Sequence, residues 1–532
     1  MLKKIIQQDY YLTLIILVLS ILINQHYGFI GVNPLDNFTI YHSGNLILNG
    51  QKPFEDYWIT TGLTLDLIQY FFFKILGTNW SAYVLHASIF NGIFSVAIFI
   101  VLKSFELEKK YCFFYAILTS ILFYPAVATP FVDHHSIFFS IISVFLFILG
   151  IKNQKKGFKF WFSIPILLAL GFLSKQTPSS FIILLIIIFS IYFYLVSNNT
   201  KILLAYFLSS ALTISIFLLC LKFSNIDIIN FYEQYIKFPS TIGKGRASVD
   251  GFLTPVTFSR YILKFKYIHL LSLPLIFSII LIIKKKKLFY KEKDFIIILT
   301  VLSSTYILII HQLLTLNAKY IYFIIPFVAG FSQIYVIKYK FKYSKIFVNL
   351  ILFFVILSSS YYSHKYIHSR NFLISNNLYN KEKIFETNIL DNSKKKFYWI
   401  THYNKKPKQE VESLESAAKY LKVIDSQAKG KYLLITDYQF LIYKFDLRNA
   451  LTINKLYGSG ISYPSINNPS FNKYKIYFKD KLIKNKVDQI YFIKPSYFNE
   501  EINALNGIIK KDCVIKFTKL NLIGLKNIKN CI

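Results

Sequence analysis

Residues 33–58, NPLDNFTIYHSGNLILNGQKPFEDYW, form a polar stretch that closely follows a long apolar run at residues 11–25, YLTLIILVLSILINQ. With its flanking residues the apolar run is long enough to enter a bilayer, so the polar stretch emerges from a membrane. Acidic side chains beside a bilayer are costly, and their presence there indicates function by default. We therefore take Asp36 as the first candidate for a catalytic acid or base. The alternatives are an acid in a surface loop and a cap for a helix that begins near Phe38.

The composition excludes a simple soluble enzyme. The 532 residues are 54% hydrophobic, and the mean hydropathy is +0.43. A net charge of +34 would indicate a nucleic-acid partner in a soluble protein, but here the lysines lie mainly in short loops between apolar runs. That placement is typical of cytoplasmic loops in membrane proteins, so we expect no nucleic-acid partner.

The apolar runs predict about eleven membrane spans and an uncleaved first helix with a cytoplasmic N-terminus. The spans are expected at residues 11–25, 81–102, 111–128, 135–150, 159–173, 178–197, 202–221, 268–283, 295–313, 320–337 and 345–361. Residues 63–76 also form an apolar run, but we interpret them as an amphipathic helix along the interface. Counting them as a span would place KKKKLFYKEK (284–293) outside, against the positive-inside rule.

Beyond residue 361 the composition becomes mixed, which predicts a transmembrane domain at 1–361 and an extracytoplasmic α/β domain at 362–532. Residues 407–429 have an apolar stripe at helical spacing, whereas 431–439, 488–494 and the stretch CVIKFTKLNLIGLK are typical of strands. Cys513 and Cys531 either form one local disulfide or remain free thiols.

Several polar groups fall in predicted outer loops. Glu55 and Asp56 follow the turn imposed by Gly50 and Pro53. Asp133, His134 and His135 occupy a very short loop between spans, where they are candidate ligands for a divalent ion or for an acceptor. The alternatives are solvated acids in a polar turn and polar groups at the interface.

Basic residues on the same predicted side are candidates for an anion such as a lipid phosphate. Lys175 and Gln176 lie in GFLSKQTPSS, Arg246 lies in the flexible segment GKGR (243–246), and Lys319 precedes a predicted span. The alternative for Lys175 is a side chain that snorkels to the interface. The sequence contains no glycine-rich nucleotide fingerprint, GxSxG motif or zinc-finger spacing.

Together these residues resemble the GT-C superfamily of integral-membrane glycosyltransferases, over about residues 1–330. The similarity is to protein O-mannosyltransferases, aminoarabinose transferases and lipopolysaccharide-core transferases. Asp36 matches the early catalytic acid, Gly50, Pro53, Phe54 and Asp56 match a G-x-P-(Y/F)-x-D segment, and Asp133 matches a second-loop acid. Gly171, Lys175, Gln176 and Pro178 match the segment G-L-x-K-(G/Q)-x-P. Asn37 departs from the Asp-Glu pair of the protein O-mannosyl branch.

The resemblance implies a GT-C-like bundle with interfacial helices in the first outer loop, in a bacterial inner membrane. It implies inverting sugar transfer from a polyprenyl-phosphate donor to an acceptor hydroxyl on a glycolipid, lipopolysaccharide or glycan, at the periplasmic face. Asp36, Asp56 and Asp133 would be catalytic, and Lys175, Gln176, Arg246 and Lys319 would bind the donor phosphate. Asp36, Asp133 and His134 would hold a divalent metal ion if the enzyme uses one.

Two other classes remain open. A lipid or glycan transporter, or flippase, would show a pseudo-symmetric repeat and interrupted helices, and the sequence shows neither. A non-catalytic membrane assembly protein would not need its acids and cations to converge in one pocket.

Overall fold

The computed structural model describes residues 9–32, 37–243, 256–315, 318–368, 384–390, 397–400, 406–428, 430–458, 460–493, 505, 507–510, 514–519 and 522–532. The chain folds into two compact units, each assembled from three segments. The helical unit comprises Met1–Gly28, Val84–Leu218 and Phe252–Leu378. The mixed unit comprises Phe29–Tyr83, Leu219–Gly251 and Tyr379–Ile532. The sequence-based division at residue 361 stays a prediction.

The protein is mostly helical and, in its described part, has nine helices long and apolar enough to cross a bilayer. Many of their leucine, isoleucine and phenylalanine side chains are exposed, which only a lipid environment tolerates over such an area. These features define a multi-pass membrane protein. The nine helices are Tyr10–Gly28, Trp80–Ser104, Val132–Lys152, Gly157–Ser174, Gln176–Ser197, Lys201–Phe223, Lys266–Lys285, Lys293–Leu314 and Ser344–His368.

Two of the predicted spans form shorter helices. Residues 111–128 give the helix Lys109–Leu122, and residues 320–337 give the helix Ile324–Lys338. These helices have 14 and 15 residues, fewer than the roughly 20 that a straight span requires. The first is interrupted because the one-turn helix Tyr124–Ala126 contains a proline. The total of about eleven spans stays a prediction.

Of the nine long helices in the described part of the chain, Val132–Lys152 is the most enclosed, with 89% of its most apolar window buried. It packs most extensively on Gly157–Ser174. Two glycines permit this close approach. A methyl group on Gly150 would lie 2.3 Å from Nε1 of Trp161, and one on Gly171 would lie 3.3 Å from Cβ of Phe139. Small residues at helix contacts let membrane helices approach each other closely.

The predicted interfacial helix is present, with the bounds Leu63–Leu76. Its polar residues Asp66 and Gln69 are fully buried, whereas Leu67, Phe71 and Ile75 are exposed. These three apolar residues recur at every fourth position and therefore share one face of the helix. An exposed apolar face is what a helix lying on lipid requires, although its place in the membrane stays a prediction.

The mixed unit contains two sheets. The smaller has the order β1-β3-β2, and the larger has the order β5-β4-β6-β8-β7. In the larger sheet β4 runs parallel to β5 and β6, whereas β8 runs antiparallel to β6 and β7. The strands are β1 Ile30–Val32, β2 Ile384–Thr387, β3 Phe397–Ile400, β4 Tyr432–Thr436, β5 Ala450–Leu451, β6 Ile490–Ile493, β7 Ile515–Lys519 and β8 Leu522–Lys526.

The secondary structure predicted for the C-terminal region is confirmed in β4, β6, β7 and β8 and in the helix Pro407–Gln427. That helix buries Val411, Leu414, Ala418 and Leu421, as the apolar stripe predicts. The mixed unit also contains the helices Thr39–Leu48, Ile228–Phe231, Tyr232–Lys237, Phe440–Lys444, Phe471–Lys484 and Ile528–Asn530, and Phe258–Lys264 belongs to the helical unit.

Cys531 is disulfide-bonded, whereas Cys112 and Cys220 are free thiols. Cys513, the partner predicted for Cys531, lies outside the described residues.

Candidate functional site

The clearest polar site in the helical unit is an ion pair between Asp133 and Lys175. Asp133 lies in the first turn of Val132–Lys152, and Lys175 lies in extended backbone between the helices Gly157–Ser174 and Gln176–Ser197. The Lys175 ammonium is 2.7 Å from Oδ2 of Asp133. The aspartate side chain is 2% exposed and the lysine 23%, so the carboxylate is buried while the cation reaches the edge of the site.

Serine side chains fix the helix break that carries Lys175. Ser136, one turn after Asp133, donates a hydrogen bond to the Lys175 carbonyl at 3.1 Å. Ser179 lies 2.8 Å from Ser136 and 3.0 Å from Ser140, hydroxyl to hydroxyl. Gly171 is required here because any side chain would meet the Ser179 hydroxyl. The predicted segment GFLSKQTP thus holds Lys175 against the start of the neighbouring helix.

Several buried polar atoms close to this pair have no hydrogen-bond partner among the described residues. They include Oδ1 of Asp133, Nδ1 of His134, Nε2 of His311 and Oε1 of Gln312. His311 lies in the last turn of Lys293–Leu314 and interacts electrostatically with Asp133. Buried polar atoms nearly always have a partner, and those without one often mark places for water or substrate. His311 was not a sequence candidate, because it stands alone at the end of an apolar run.

The two neighbouring histidines have different surroundings. His135 is held by Tyr124, whose hydroxyl is 2.8 Å from Nδ1, and by His86, whose Nε2 is 2.9 Å from Nε2. His134 uses Nε2 for the Phe123 carbonyl at 3.2 Å, which leaves Nδ1 for another partner. His135 is therefore engaged in packing, and His134 is the histidine available to a ligand.

The predicted metal ligands are Asp36, Asp133 and His134. Over the described ranges, no group of three or more His, Cys, Asp or Glu side chains is arranged to hold a metal ion. Asp36 lies outside those ranges, so this set stays a prediction. The described residues alone do not fit a metal, and no step proposed below depends on one.

The remaining candidate phosphate ligands are only partly described. Gln176 follows Lys175 and begins the next helix. Lys319 lies in the one-turn helix Ala318–Ile321, but its side chain is outside the described part of the chain. Arg246 also lies outside the described residues. Their roles stay predictions.

In the mixed unit, both acids of the predicted turn are in close contacts. Glu55 accepts hydrogen bonds from the Asp227 amide at 2.8 Å and from the Asn230 side chain at 3.0 Å. Asp56 accepts from the Lys52 amide at 2.9 Å and lies 3.3 Å from the Lys481 ammonium. These contacts close the loop and tie it to the rest of the unit. A catalytic role for Asp56 stays a prediction.

A second buried ion pair was not predicted. Lys455 lies 2.7 Å from Oδ1 of Asp66, and both side chains are at most 4% exposed. Ser43 donates to the same carboxylate oxygen at 2.5 Å, and Lys455 also donates to the Thr61 carbonyl at 2.8 Å. An acid inside the apolar run 63–76 was the only sequence signal, because its partner lies 389 residues away.

Burial shifts the ionisation of this part of the mixed unit. Burial raises the pKa of Asp66 to about 6, although Lys455 and Ser43 lower it in part. Burial likewise lowers the pKa of Lys455. His42 lies 3.0 Å from the Thr452 hydroxyl and 2.9 Å from the Tyr443 hydroxyl, and burial lowers its pKa to about 3. His42 is therefore neutral at physiological pH.

No protein-family model matches this chain, and comparison with curated proteins found no significant match. The interpretation of the site therefore depends on its own residues and on the sequence motifs.

Proposed function

We propose that this chain is an integral-membrane glycosyltransferase of the GT-C type. It transfers a sugar from a polyprenyl-phosphate donor to an acceptor hydroxyl at the extracytoplasmic face, with inversion at the anomeric carbon. The acceptor is a glycolipid, a lipopolysaccharide or another cell-surface glycan.

The observation that carries the proposal is the state of the Asp133 carboxylate. Its Oδ2 is bound by the Lys175 ammonium, while its buried Oδ1 has no hydrogen-bond partner among the described residues. A carboxylate with an available oxygen accepts a hydrogen bond from a substrate hydroxyl. The partly exposed ammonium beside it is suited to an anionic oxygen. A sugar phosphate presents both groups on adjacent atoms.

The proposed reaction is a single displacement. The acceptor hydroxyl transfers its proton to a general base, the role that the resemblance gives to Asp36, while its oxygen forms a bond to the anomeric carbon. The bond from that carbon to the phosphate oxygen breaks, and the electron pair leaves with the polyprenyl phosphate. Lys175 stabilises the developing negative charge, the role that the resemblance also gives to Arg246. Asp133 holds Lys175 in place and orients a sugar hydroxyl through Oδ1.

The test is an assay with purified protein and polyprenyl-phosphate donors labelled in the sugar. Release of polyprenyl phosphate, measured by mass spectrometry, reports transfer to water or to an added acceptor. We expect Asp133→Asn to lower this rate at least 100-fold, because the amide pairs poorly with Lys175. Lys175→Met should have a similar effect, whereas Lys175→Arg should retain part of the activity because the positive charge remains.

Asp480→Asn is the matched control. Asp480 is exposed and forms no ion pair with any described residue, so this variant should be as active as the wild type. Full activity in Asp133→Asn would overturn the proposed site. Wild-type protein that binds the donor but never releases polyprenyl phosphate would instead support the transporter alternative.

A further inference from the structure

The mixed unit contains a second feature, a groove of about 720 Å³ next to the larger sheet. Five lysines line it. One precedes β4, two lie at the end of the helix Phe471–Lys484 and just beyond it, one ends β8, and one lies in the one-turn helix Ile528–Asn530. They are Lys431, Lys484, Lys486, Lys526 and Lys529. We name this feature the lysine groove.

The positive charge of the lysine groove exceeds the negative charge that the described residues bring to it. None of its five lysines forms an ion pair with a residue in the described part of the chain. Of the described residues that line the groove, one is acidic, Asp488, and its Oδ1 accepts a hydrogen bond from the Lys529 backbone amide at 3.4 Å. Converging ammonium groups repel one another, so an anion that bridges them would be stabilised.

Lysine is common throughout this chain, so its presence alone carries no weight. Some lysines elsewhere in the mixed unit have acidic partners. Lys455 pairs with Asp66 at 2.7 Å, and Lys473 pairs with Glu233 at 2.7 Å. In the lysine groove, by contrast, five lysines lie beside a single described acid, Asp488.

Aromatic rings line the same groove and add a second kind of contact. Tyr420 and Phe517 are partly exposed there, and Lys526 lies 4.8 Å from the centre of the Phe517 ring. Aromatic side chains offer a large apolar contact area, which suits the apolar side of a sugar ring. The volume lies within the roughly 300–1,000 Å³ typical of small-molecule sites.

We propose that the lysine groove binds an anionic saccharide, one that carries carboxylate or phosphate groups on its sugar rings. The inference that this saccharide is the acceptor of sugar transfer rests on the function proposed above. The binding of the saccharide to the groove does not. A concave site with aromatic walls favours a saccharide over the surface of an anionic membrane, which would meet a flat or convex basic face.

The test uses the full-length protein in nonionic detergent. The probe is trigalacturonate, compared with its methyl ester, which has the same sugar rings without charge. We expect the acid to bind and the ester to bind at least 10-fold more weakly, and binding of the acid to weaken as salt is raised. Lys484→Gln combined with Lys486→Gln should weaken binding of the acid about 10-fold.

The matched control replaces Lys475 and Lys479 with glutamine. Both lie on the helix Phe471–Lys484 but do not line the groove, so the same change in net charge should leave binding unchanged. Equal loss in the control pair would show a nonspecific charge effect and overturn the proposal. Equal binding of acid and ester, or no binding of either, would also overturn it.

Two further measurements separate this proposal from its rivals. Vesicles of phosphatidylglycerol, or inorganic phosphate alone, should not compete with trigalacturonate at equivalent charge. Strong competition by the vesicles or by phosphate would show that the groove binds a lipid surface or a free anion, and it would overturn the proposal that the groove binds a saccharide. Asp133→Asn should bind trigalacturonate like the wild type. Failure of the proposed transfer reaction can therefore be distinguished from failure of the groove to bind a saccharide.

Discussion

Replacing Lys455 with methionine should destabilise the mixed unit strongly. The lysine is 4% exposed and its ammonium lies 2.7 Å from Asp66, which is fully buried. Methionine keeps much of the side-chain volume but leaves the carboxylate without its charge partner. Removing one member of a buried ion pair costs about 3–5 kcal/mol, because the remaining charge is buried without compensation. For a domain of roughly 150–250 residues this corresponds to a fall in Tm of roughly 6–20 °C.

The loss of stability in Lys455→Met should depend on pH, because it depends on the ionisation of Asp66. Lys455 lowers the pKa of Asp66, so its loss should raise that pKa above the value of about 6 in the wild type. An acid whose pKa is raised by folding stabilises the folded state only while it keeps its proton, and this contribution is lost as pH rises through the folded pKa. The loss of stability of Lys455→Met relative to the wild type should therefore be smallest near pH 5 and largest above pH 7.

Thermal unfolding in detergent, followed by intrinsic fluorescence at several pH values, measures both effects. The double variant Asp66→Leu with Lys455→Met should recover most of the stability, since apolar replacement of a buried pair is often neutral or favourable. Lys481→Met serves as the control, because its pair with Asp56 is more exposed and is worth about 0–1 kcal/mol. A deficit that does not vary with pH, and that the double variant does not relieve, would refute the electrostatic argument.

Four other predictions concern single positions. The pKa of His42 is lowered to about 3, so the unfolded chain takes up a proton near pH 6.5 that the folded state excludes. The free energy of unfolding should therefore fall by about 2 kcal/mol between pH 6.5 and 5. Thermal unfolding of His42→Gln should not show this dependence on pH. Gly171→Ala places a methyl group 2.7 Å from the Ser179 hydroxyl and should lower stability by about 1–3 kcal/mol, seen as a lower Tm in detergent. Gly50→Ala meets no neighbouring atom but has a φ of +79°, so only backbone strain of about 1–2 kcal/mol is expected. Glu55→Ala removes two hydrogen bonds to the segment that contains Asp227 and should make that segment more sensitive to limited proteolysis, by about 1–2 kcal/mol of local stability.

Local patterns were sufficient to predict many individual elements. The helix Leu63–Leu76 and four of the five strands of the larger sheet were predicted, because periodicity and bounding turn residues act over a few residues; β5, which has two residues, was not predicted. Asp133 and Lys175 were each identified as candidates from their motifs. The sequence did not predict that they form an ion pair with a separation of 2.7 Å. Hydropathy identified the spans less well where Pro125 ends a helix inside an apolar run.

Contacts between distant parts of the chain could not be predicted. No local pattern indicates that Lys455 meets Asp66, or that Thr452 and Tyr443 meet His42. The smaller sheet likewise joins β1, near the start of the chain, to β3. Each of these contacts depends on how the segments of the mixed unit assemble, which a single sequence does not specify.

The helix Leu63–Leu76 shows why the C-terminal region matters to the first outer loop. Its periodicity fits either orientation, since a stripe of apolar residues can face a protein core or lipid. The structure buries Asp66 and exposes Leu67, Phe71 and Ile75, an orientation that needs a cation to compensate the buried acid. Lys455 supplies that cation from the C-terminal region. The apolar face of this helix can therefore point outward only because residues almost 400 positions later neutralise its polar face. The C-terminal region is thus a structural partner of the loop that contains the predicted catalytic segment, and substitutions in either should affect both.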